Sequence, residues 1–448
     1  MDTKRAVTRR QFLSGATKLG AAAIVAPNII TSGALAAQGR RGANDKVQVA
    51  YIAIGRRASQ LRSLPQDTKV VALADVNPKR LEEWQGKYYK DAKLYPDYRE
   101  LLASDEVDAV VIASPDHWHG LHTVHACQAG KDVYIEKPLS LTVHEGRAMV
   151  DAARKHERIV QTGSQQRSLS TCQTGTRMVR EGAFGKISVV HGANYPSPWE
   201  CDLPEEPVPD GLNWDMWCGQ TQPRAYHTDL YLPRAEGRTY PDGRPYGWIS
   251  YTPYSGGEMT GWGAHGLDII LWALGEKGPV EVWPELEGDS GPIIYIGKPL
   301  DPEKSKAWVE GKRLTCPVNF KFASGIIVKL DGKGPGGGAI FEGEGASIMI
   351  DRGKYAIKKG DAEPEMHTEP GGVDDTALHL KNWIECIRSR ERSVADVETG
   401  HLAANMCHVG NIARWVGKKL TWNPDTERFA EEEANAFLKR PMREPWVI

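Results

Sequence analysis

The sequence lacks Cys-x-x-Cys pairs and an excess of charge of either sign. Its seven cysteines are scattered over 448 residues, which argues against a disulfide framework or a cysteine-bound metal and predicts mostly buried thiols. A formal net charge of −2 gives no support to nucleic acid or an anionic membrane surface as a partner. With 40% hydrophobic and 25% charged residues, the chain has the composition of a soluble protein with enough apolar residues for two cores.

The sequence also lacks an uninterrupted apolar run long enough to form a stable membrane span. The mildly apolar stretch from Gly15 to Ala37 is interrupted by Pro27. It follows a twin-arginine pattern, TRRQFL at positions 8–13, and contains a small-residue A-x-A site at 34–36. This order predicts a twin-arginine signal peptide over residues 1–36 and a periplasmic or otherwise exported protein. A disordered basic tail is the alternative.

Two glycines are missing from a dinucleotide-binding pattern near the start of the predicted fold. A first strand, Val47 to Ile54, leads into AIGRRA at 53–58, where alanine replaces the first and third glycines of a G-x-G-x-x-G fingerprint. Gly55 keeps the central position, where the absence of a Cβ lets a pyrophosphate approach the backbone. Twenty residues later, a second strand ends at Asp75, the expected position for a carboxylate that binds the adenosine ribose hydroxyls.

The choice between NAD and NADP depends on the charges around this fingerprint. Asp75 would repel a 2′-phosphate and therefore favours NAD. Arg56 and Arg57 argue mildly for NADP, because a guanidinium is a good partner for the additional phosphate. Asn77 is a further residue that would tune this choice. We expect NAD, with NADP as the less favoured cofactor.

Strand and helix patterns alternate from residue 46 to about 162, which predicts a parallel sheet with right-handed crossovers. The strand at 109–113 is followed by a helical pattern and then by the strand 133–135, which ends at Glu136 and Lys137. Ligands bind at the carboxyl ends of strands in such sheets. A lysine held there beside a glutamate can be desolvated, which lowers its pKa toward the range that suits proton transfer. A solvated loop pair is the alternative interpretation.

The motifs SPDHWH at 114–119, AGK at 129–131 and EKP at 136–138 follow one another in a characteristic order. In this order they resemble the glucose-fructose oxidoreductase / inositol dehydrogenase / rhizopine catabolism (Gfo/Idh/MocA) family, from about residue 46 nearly to the end. The resemblance implies an α/β protein with a Rossmann dinucleotide-binding domain over 46–165. It further implies an α+β substrate domain over 166–448 with a large, mostly antiparallel open sheet, and a catalytic Lys137 that contacts both cofactor and substrate.

The motif residues and the segment after the last strand supply the candidate cofactor contacts. These are Ile54, Gly55, Arg56, Arg57, Asp75, Asn77, Ser114, Pro115, Asp116, His119, Glu136, Lys137 and Gln165. His117 and His119 together suggest zinc, but no third ligand is spaced to join them, so no metal is expected.

The segment 256–268 resembles a second signature of the family, in which a histidine completes the catalytic set. Here that residue is His265. The aspartate that the family places four residues earlier is replaced by Gly261, so His265 would work with Lys137 alone or with another acid such as Glu258.

The irregular segment 196–256 is rich in aromatic rings that suit stacking on sugar faces, although packing is the alternative. The candidate substrate contacts are Arg167, Tyr195, Trp248, Tyr254, Glu258 and His265.

The C-terminal part shows short strand patterns separated by glycine-rich turns, followed by two amphipathic helices. The predicted strands are 280–283, 316–322, 326–330, 340–344 and 347–350, and the predicted helices are 379–388 and 401–416. One broad sheet would pack one face on helices and leave the other for a partner subunit, so we expect a homo-oligomer through the C-terminal sheet.

The resemblance implies an exported NAD(P)-dependent oxidoreductase that acts on a hydroxyl of a sugar or glycoside. Because the twin-arginine route carries folded proteins to a compartment poor in free dinucleotide, we expect a tightly held cofactor. One alternative is a redox-neutral cycle of oxidation, elimination, hydration and reduction that cleaves a glycoside. Another is a non-catalytic sugar-binding or scaffold protein on the same fold.

Overall fold

The structure is a computed structural model that describes residues 46–201, 203–234, 247–286, 312–370 and 375–448. The predicted signal peptide over 1–36 and two aromatic residues of the 196–256 segment, Tyr240 and Tyr246, lie outside the described residues. Residues 46–448 form one compact unit. The domain boundary expected after residue 165 therefore stays a prediction.

The N-terminal sheet has six parallel strands. They are β1 (Val47–Ile52), β2 (Thr68–Ala74), β3 (Lys93–Tyr95), β4 (Ala109–Ile112), β5 (Asp132–Ile135) and β6 (Val160–Thr162). Their order is β3-β2-β1-β4-β5-β6, which is the doubly wound Rossmann arrangement with its switch point between β1 and β4. All residues of β4 and β5 are buried, as expected for strands covered on both faces.

Five helices connect the strands of this sheet. They are α1 (Arg56–Gln60), α2 (Pro78–Tyr88), α3 (Tyr98–Leu102), α4 (Asp116–Gln128) and α5 (Val143–Lys155). Side chains cap three of them, since Asn77, Asp97 and Thr142 each accept a hydrogen bond from a backbone N–H of the first turn. Pro78 occupies the first position of α2, where it forfeits no intrahelical bond, as predicted.

The remaining strands belong to a second sheet and a short pair. They are β7 (Val189–Gly192), β8 (Trp199–Glu200), β9 (Tyr251–Thr252), β10 (Glu281–Pro284), β11 (Val318–Lys321), β12 (Ile327–Leu330), β13 (Ala339–Glu342), β14 (Ala346–Asp351), β15 (Lys354–Lys359), β16 (Glu365–Thr368), β17 (Leu420–Asn423) and β18 (Arg428–Phe429). Strands β8 and β9 pair with each other. The other ten form one sheet in the order β16-β15-β14-β13-β7-β12-β11-β10-β17-β18, antiparallel except between β7 and β12. The expected open, mostly antiparallel sheet is confirmed.

The helices of this part are α6 (Ser170–Arg180), α7 (Trp214–Cys218), α8 (Thr228–Tyr231), α9 (Glu258–Gly261), α10 (Gly263–Leu274), α11 (Asp375–Ser389), α12 (Val397–Val416) and α13 (Glu432–Asn435). Residues of α10 and α12 share one core with the inner face of the large sheet, where Val190, Phe320 and Phe341 are fully buried. All seven cysteines are buried free thiols, as predicted. Among the described residues, none of the helices combines the length and apolar character needed to cross a bilayer.

Candidate active site

A cleft of about 820 Å³ opens at the carboxyl edge of the parallel sheet. Residues that follow β1, β2, β4 and β5 form one wall, and residues from α10 and the C-terminal sheet form another. Thirteen of the residues predicted from the sequence line it: Gly55, Arg56, Arg57, Asp75, Ser114, Pro115, Asp116, His119, Glu136, Lys137, Gln165, Trp248 and His265. The topology of the parallel sheet brings together those that follow its strands, because parallel strands end at one edge. Trp248 and His265 reach the cleft from the other wall.

Lys137 lies in the middle of this cleft, directly after β5. Its Nζ donates a hydrogen bond to the carbonyl oxygen of Gly261 at 3.0 Å. Burial lowers the pKa of the Lys137 ammonium, and although Glu136 and Asp116 oppose this shift, the direction is downward. A lysine whose pKa is lowered in this way can act as a proton acceptor.

Glu136 is held in place by its neighbours. Its Oε1 lies 2.9 Å from Nε of Arg57 and accepts a hydrogen bond from Nε2 of Gln165 at 3.2 Å. A Cβ at Gly163 would come within 2.7 Å of the same oxygen, so the glycine there makes room for the carboxylate. Arg57 is therefore held by the Glu136 carboxylate, which weakens one argument for NADP.

His119 and Asp116 order the turn beside Lys137. The ring of His119 bridges two backbone carbonyls, those of Pro138 at 2.7 Å and Ser114 at 2.9 Å. Asp116 accepts a hydrogen bond from Oγ of Ser255 at 2.7 Å, and burial raises the pKa of its carboxyl group. These contacts fix the ends of β4 and β5 relative to each other.

His265 enters the cleft from the first turn of α10. Nη2 of Arg352 lies 3.2 Å from Nε2 of His265, and Cζ of Arg352 lies 5.7 Å from the ring centre of Trp262. Nε of Arg352 is 3.5 Å from Oδ2 of Asp375. Burial, followed by the nearby cations Lys137 and Arg352, lowers the pKa of His265 well below its ordinary value. Arg352 and Asp375 were not singled out in the sequence, because no local motif marks them. Trp262 lies within the 256–268 signature but was not named as a candidate.

The space beside Gly261 is filled by another acid. A Cβ at residue 261 would lie 2.7 Å from Oε2 of Glu258. The Glu258 carboxylate makes two hydrogen bonds to Arg234, at 2.7 and 2.8 Å. Glu258 itself does not line the cleft, whereas Arg234 does. The predicted role of Glu258 as a direct substrate contact is therefore replaced by an indirect one through Arg234.

The dinucleotide end of the cleft is organised by Asp75. Its two oxygens accept hydrogen bonds from the backbone N–H groups of Ile54 and Asn77, both at 2.9 Å, and Arg80 lies 3.5 Å from Oδ2. Ile54 and Asn77 do not line the cleft and act through Asp75. A Cβ at Gly55 would meet no atom within 4 Å, so the backbone there is open to a ligand. An open backbone beside a carboxylate at the end of β2 fits a bound dinucleotide.

Three predicted substrate contacts lie away from the cleft. Arg167 is buried in an ion pair with Asp268 at 2.8 Å, so it joins α10 to the segment after β6. Tyr195 donates from its hydroxyl to the carbonyl of Gly336 at 2.8 Å. Tyr254 is fully buried among rings in the core. Sequence reasoning could not separate these packing roles from ligand contacts.

Most described aromatic residues of the 196–256 segment pack on one another. Trp214 stacks on Trp217 with ring centres 4.3 Å apart, and Trp199 packs edge-on against Tyr251. Three of the rings, those of Trp217, Tyr231 and Trp248, line the cleft.

Within the described part of the chain, no group of three His, Cys, Asp or Glu side chains is placed to hold a metal ion. Nε2 of His117 instead lies 2.8 Å from the carbonyl oxygen of Trp217.

Comparison with known families agrees with this geometry. Residues 50–164 match the model described as "Oxidoreductase family, NAD-binding Rossmann fold", and residues 176–448 match the model described as "Oxidoreductase family, C-terminal alpha/beta domain". The chain belongs to the Gfo/Idh/MocA oxidoreductase family. The first of these models describes an NAD-binding domain, so NAD is the cofactor of this chain.

Individual relatives are similar over part of their length. An inositol 2-dehydrogenase of Agrobacterium fabrum is 38% identical over 144 residues, which cover 32% of this chain and 43% of the relative. A levoglucosan dehydrogenase of Pseudarthrobacter phenanthrenivorans is 26% identical over 220 residues, which cover 48% and 53%. The chain thus spans about half the length of the curated relatives it matches. A crystal structure of levoglucosan dehydrogenase with NADH and levoglucosan shares the fold, with a TM-score of 0.58 at 16% identity, over 84% of this chain and 99% of that one.

Proposed function

We propose that this protein is an NAD-dependent oxidoreductase that oxidises a hydroxyl of a sugar or cyclitol and holds its cofactor through turnover. The observation that carries the proposal is that one cleft contains both Lys137, with a lowered pKa, and the Gly55–Asp75 edge suited to a dinucleotide. The named relatives are dehydrogenases of a cyclitol and an anhydrosugar. They favour simple oxidoreduction over glycoside cleavage or a non-catalytic scaffold.

The residues divide into three roles. Asp75 would bind the adenosine ribose, and Gly55 would allow the pyrophosphate to approach the backbone. Bound NAD supplies a hydride acceptor. Lys137, as a neutral amine, takes the proton of the substrate hydroxyl, and His265 lies on the opposite wall of the same cleft. Arg234 and Trp248 offer a hydrogen-bond donor and an apolar ring, which together suit a polyhydroxylated ring.

We also propose that the protein is exported by the twin-arginine route and assembles through its ten-stranded sheet. The signal pattern at 8–13 supports export. Alternating exposure along β12 and β13 supports a sheet with one covered and one available face. Replacement of Arg9 and Arg10 by lysine should retain the protein in the cytoplasm. Light scattering of the purified protein should give a mass above that of one chain, and a monomer would contradict the assembly.

The main experiment uses desalted full-length protein. Bound dinucleotide that survives gel filtration is expected from its ultraviolet absorbance, and addition of inositols, anhydrosugars or aldoses should convert the oxidised nicotinamide to its fluorescent reduced form. The Lys137→Met variant serves as the control, because it should keep the cofactor without reducing it. Protein that binds no dinucleotide, even when NAD is added, would refute the proposal. Sustained aglycone release from glycosides without net reduction would point to the redox-neutral cycle instead.

A further inference from the structure

Arg352 lies in the turn between β14 and β15 and reaches across the cleft to His265. Its Nη2 is 3.2 Å from Nε2 of the imidazole. A guanidinium nitrogen can only donate, since arginine has no acceptor and stays charged. Nε2 of His265 must therefore be the acceptor in this hydrogen bond. In a neutral ring the proton then sits on Nδ1.

Two residues hold Arg352 in this orientation. Asp375, at the start of α11, places Oδ2 3.5 Å from Nε of Arg352. Trp262 lies beneath the guanidinium, and its ring centre is also 5.8 Å from that of His265. All four residues line the cleft. The contact thus joins the large sheet, α10 and α11 at the reacting centre.

The charges around His265 keep its ring neutral. Lys137 follows β5, Arg57 belongs to α1 and Arg352 lies in the turn between β14 and β15, so basic side chains approach the ring from three elements. On α10 itself, Asp268 is paired with Arg167 and is not available to the ring. Asp375, on α11, is paired with Arg352. A second proton on the ring would therefore meet the charges of Arg57 and Arg352 at all times, and that of Lys137 once the lysine has taken the hydroxyl proton.

We propose that Arg352 is a positioning residue that fixes His265 in the neutral tautomer with its proton on Nδ1. The ring is then a hydrogen-bond donor and not a base. The consequence for catalysis rests on the proposed function. The hydroxyl proton of the substrate passes to Nζ of Lys137, the carbon releases a hydride to NAD, and the new carbonyl oxygen accepts a hydrogen bond from Nδ1 of His265. His265 gains and loses no proton in this step.

The first test observes the tautomer directly and needs no turnover. Full-length protein with nitrogen-15 in its histidines is studied by two-bond nitrogen–proton correlation, and His265→Gln assigns the signal. We expect a neutral ring with the proton on Nδ1 in the wild type and in Arg352→Lys. Arg352→Met should give a mixture of tautomers and a ring that titrates at higher pH. An imidazolium or a proton on Nε2 in the wild type, or an unchanged tautomer in Arg352→Met, would overturn the proposal.

The second test measures turnover against pH. Arg352→Met should lower kcat by up to about a hundredfold, the scale of a misplaced group at the reacting centre, and should move the acidic limb of kcat/KM to higher pH. Arg352→Lys should restore much of the loss. Lys354→Met is the matched control, because Lys354 begins β15 two residues after Arg352, places its Nζ 3.8 Å from Asp351 and does not line the cleft. A fall in kcat without a shift of the acidic limb would show a merely structural role and refute the proposal. A wild type with the expected tautomer and no dehydrogenase activity would leave the positioning role intact and refute the proposed function.

Discussion

Nζ of Lys137 donates a hydrogen bond at 3.0 Å to the carbonyl oxygen of Gly261, the position where the resemblance led us to expect an aspartate in other family members. A neutral carbonyl stabilises the ammonium less than a carboxylate would. Burial therefore keeps the pKa of Lys137 lowered. The missing acid changes the partner of the lysine without removing the lysine from the site.

Replacement of Lys137 by methionine should lower turnover by about a hundredfold or more, the scale of a general acid or base. The fold and the retained dinucleotide should persist, because the methionine keeps the apolar stem. Steady-state kinetics together with the dinucleotide absorbance that remains after gel filtration measure both effects.

Lys131→Met is the matched control for this variant. Lys131 also has a pKa lowered by burial and also donates to a carbonyl oxygen, that of Ser104 at 2.8 Å. It does not line the cleft. The control should lose some thermal stability and keep its turnover. Equal turnover in both variants would remove Lys137 from the mechanism.

Restoring the aspartate by Gly261→Asp should inactivate the protein. The new Cβ would lie 2.7 Å from Oε2 of Glu258, so one of the two acids must move, and the bidentate contact to Arg234 would be lost. Adding Glu258→Ala should recover part of the activity, because it vacates that space, although the contact to Arg234 stays lost. The coupling free energy from the double-mutant cycle measures this effect, which we expect at about 1–3 kcal/mol.

Gly263→Ala controls for the general effect of a side chain near this helix start, since its Cβ would meet atoms no closer than 3.6 Å. It should be tolerated. Additive losses in the Gly261→Asp, Glu258→Ala double variant would show that the two positions do not compete for space.

Much of the parallel sheet could be predicted from the sequence because buried strands are continuous apolar runs. The prediction for 109–113 agrees with β4 to within one residue. The last two strands at one end of the large sheet, β15 and β16, escaped prediction, because β15 carries exposed lysines and β16 is mostly exposed. Strands that bury few side chains show little of the alternating apolar pattern on which the prediction depends.

The site could be predicted only where its residues belong to motifs. Gly55, Asp75 and Lys137 follow strands of one sheet, and topology places them in one cleft. Arg352 is 87 residues from His265 in the chain, and its turn gave no sign of that contact. Arg167 shows the opposite error, because a charged residue next to a motif was in fact needed for packing against Asp268.

Acid should destabilise the protein partly through Glu427. Its Oε1 lies 2.6 Å from Nε2 of His401 on α12 and 2.7 Å from Nη2 of Arg147 on α5. Burial alone would raise the pKa of Glu427, but these partners lower it from 4.5 to about 2. Because the pKa is lower in the folded state, the stabilisation is present above about pH 5 and is lost as the pH falls toward 2. Between pH 6 and pH 3 the unfolding temperature should therefore fall less steeply in Glu427→Gln than in the wild type.

Glu433→Gln is the control for Glu427, since the Glu433 carboxylate pairs with Lys418 at the surface. Exposed ion pairs contribute little to stability. In Glu433→Gln the slope of the unfolding temperature against pH should therefore match that of the wild type. An identical slope in all three proteins would contradict the role of Glu427.

Asp75→Asn should shift the cofactor preference from NAD toward NADP. The asparagine keeps the shape and one acceptor oxygen, so one of the amides of Ile54 and Asn77 stays bonded. It removes the charge that repels a 2′-phosphate and frees Arg80, now 3.5 Å from the carboxylate, to bind that phosphate. Loss of a charge-assisted contact to the ribose should weaken NAD binding by about 10- to 100-fold.

Asp108→Asn is the matched control, because Asp108 also accepts from a backbone N–H, that of Gln48 at 2.8 Å, but lies outside the cleft. Titration with both dinucleotides gives the ratio of dissociation constants, and the gain for NADP should vanish when Arg80→Gln is added. A wild type that already prefers NADP would show that the arginines, and not Asp75, determine the choice.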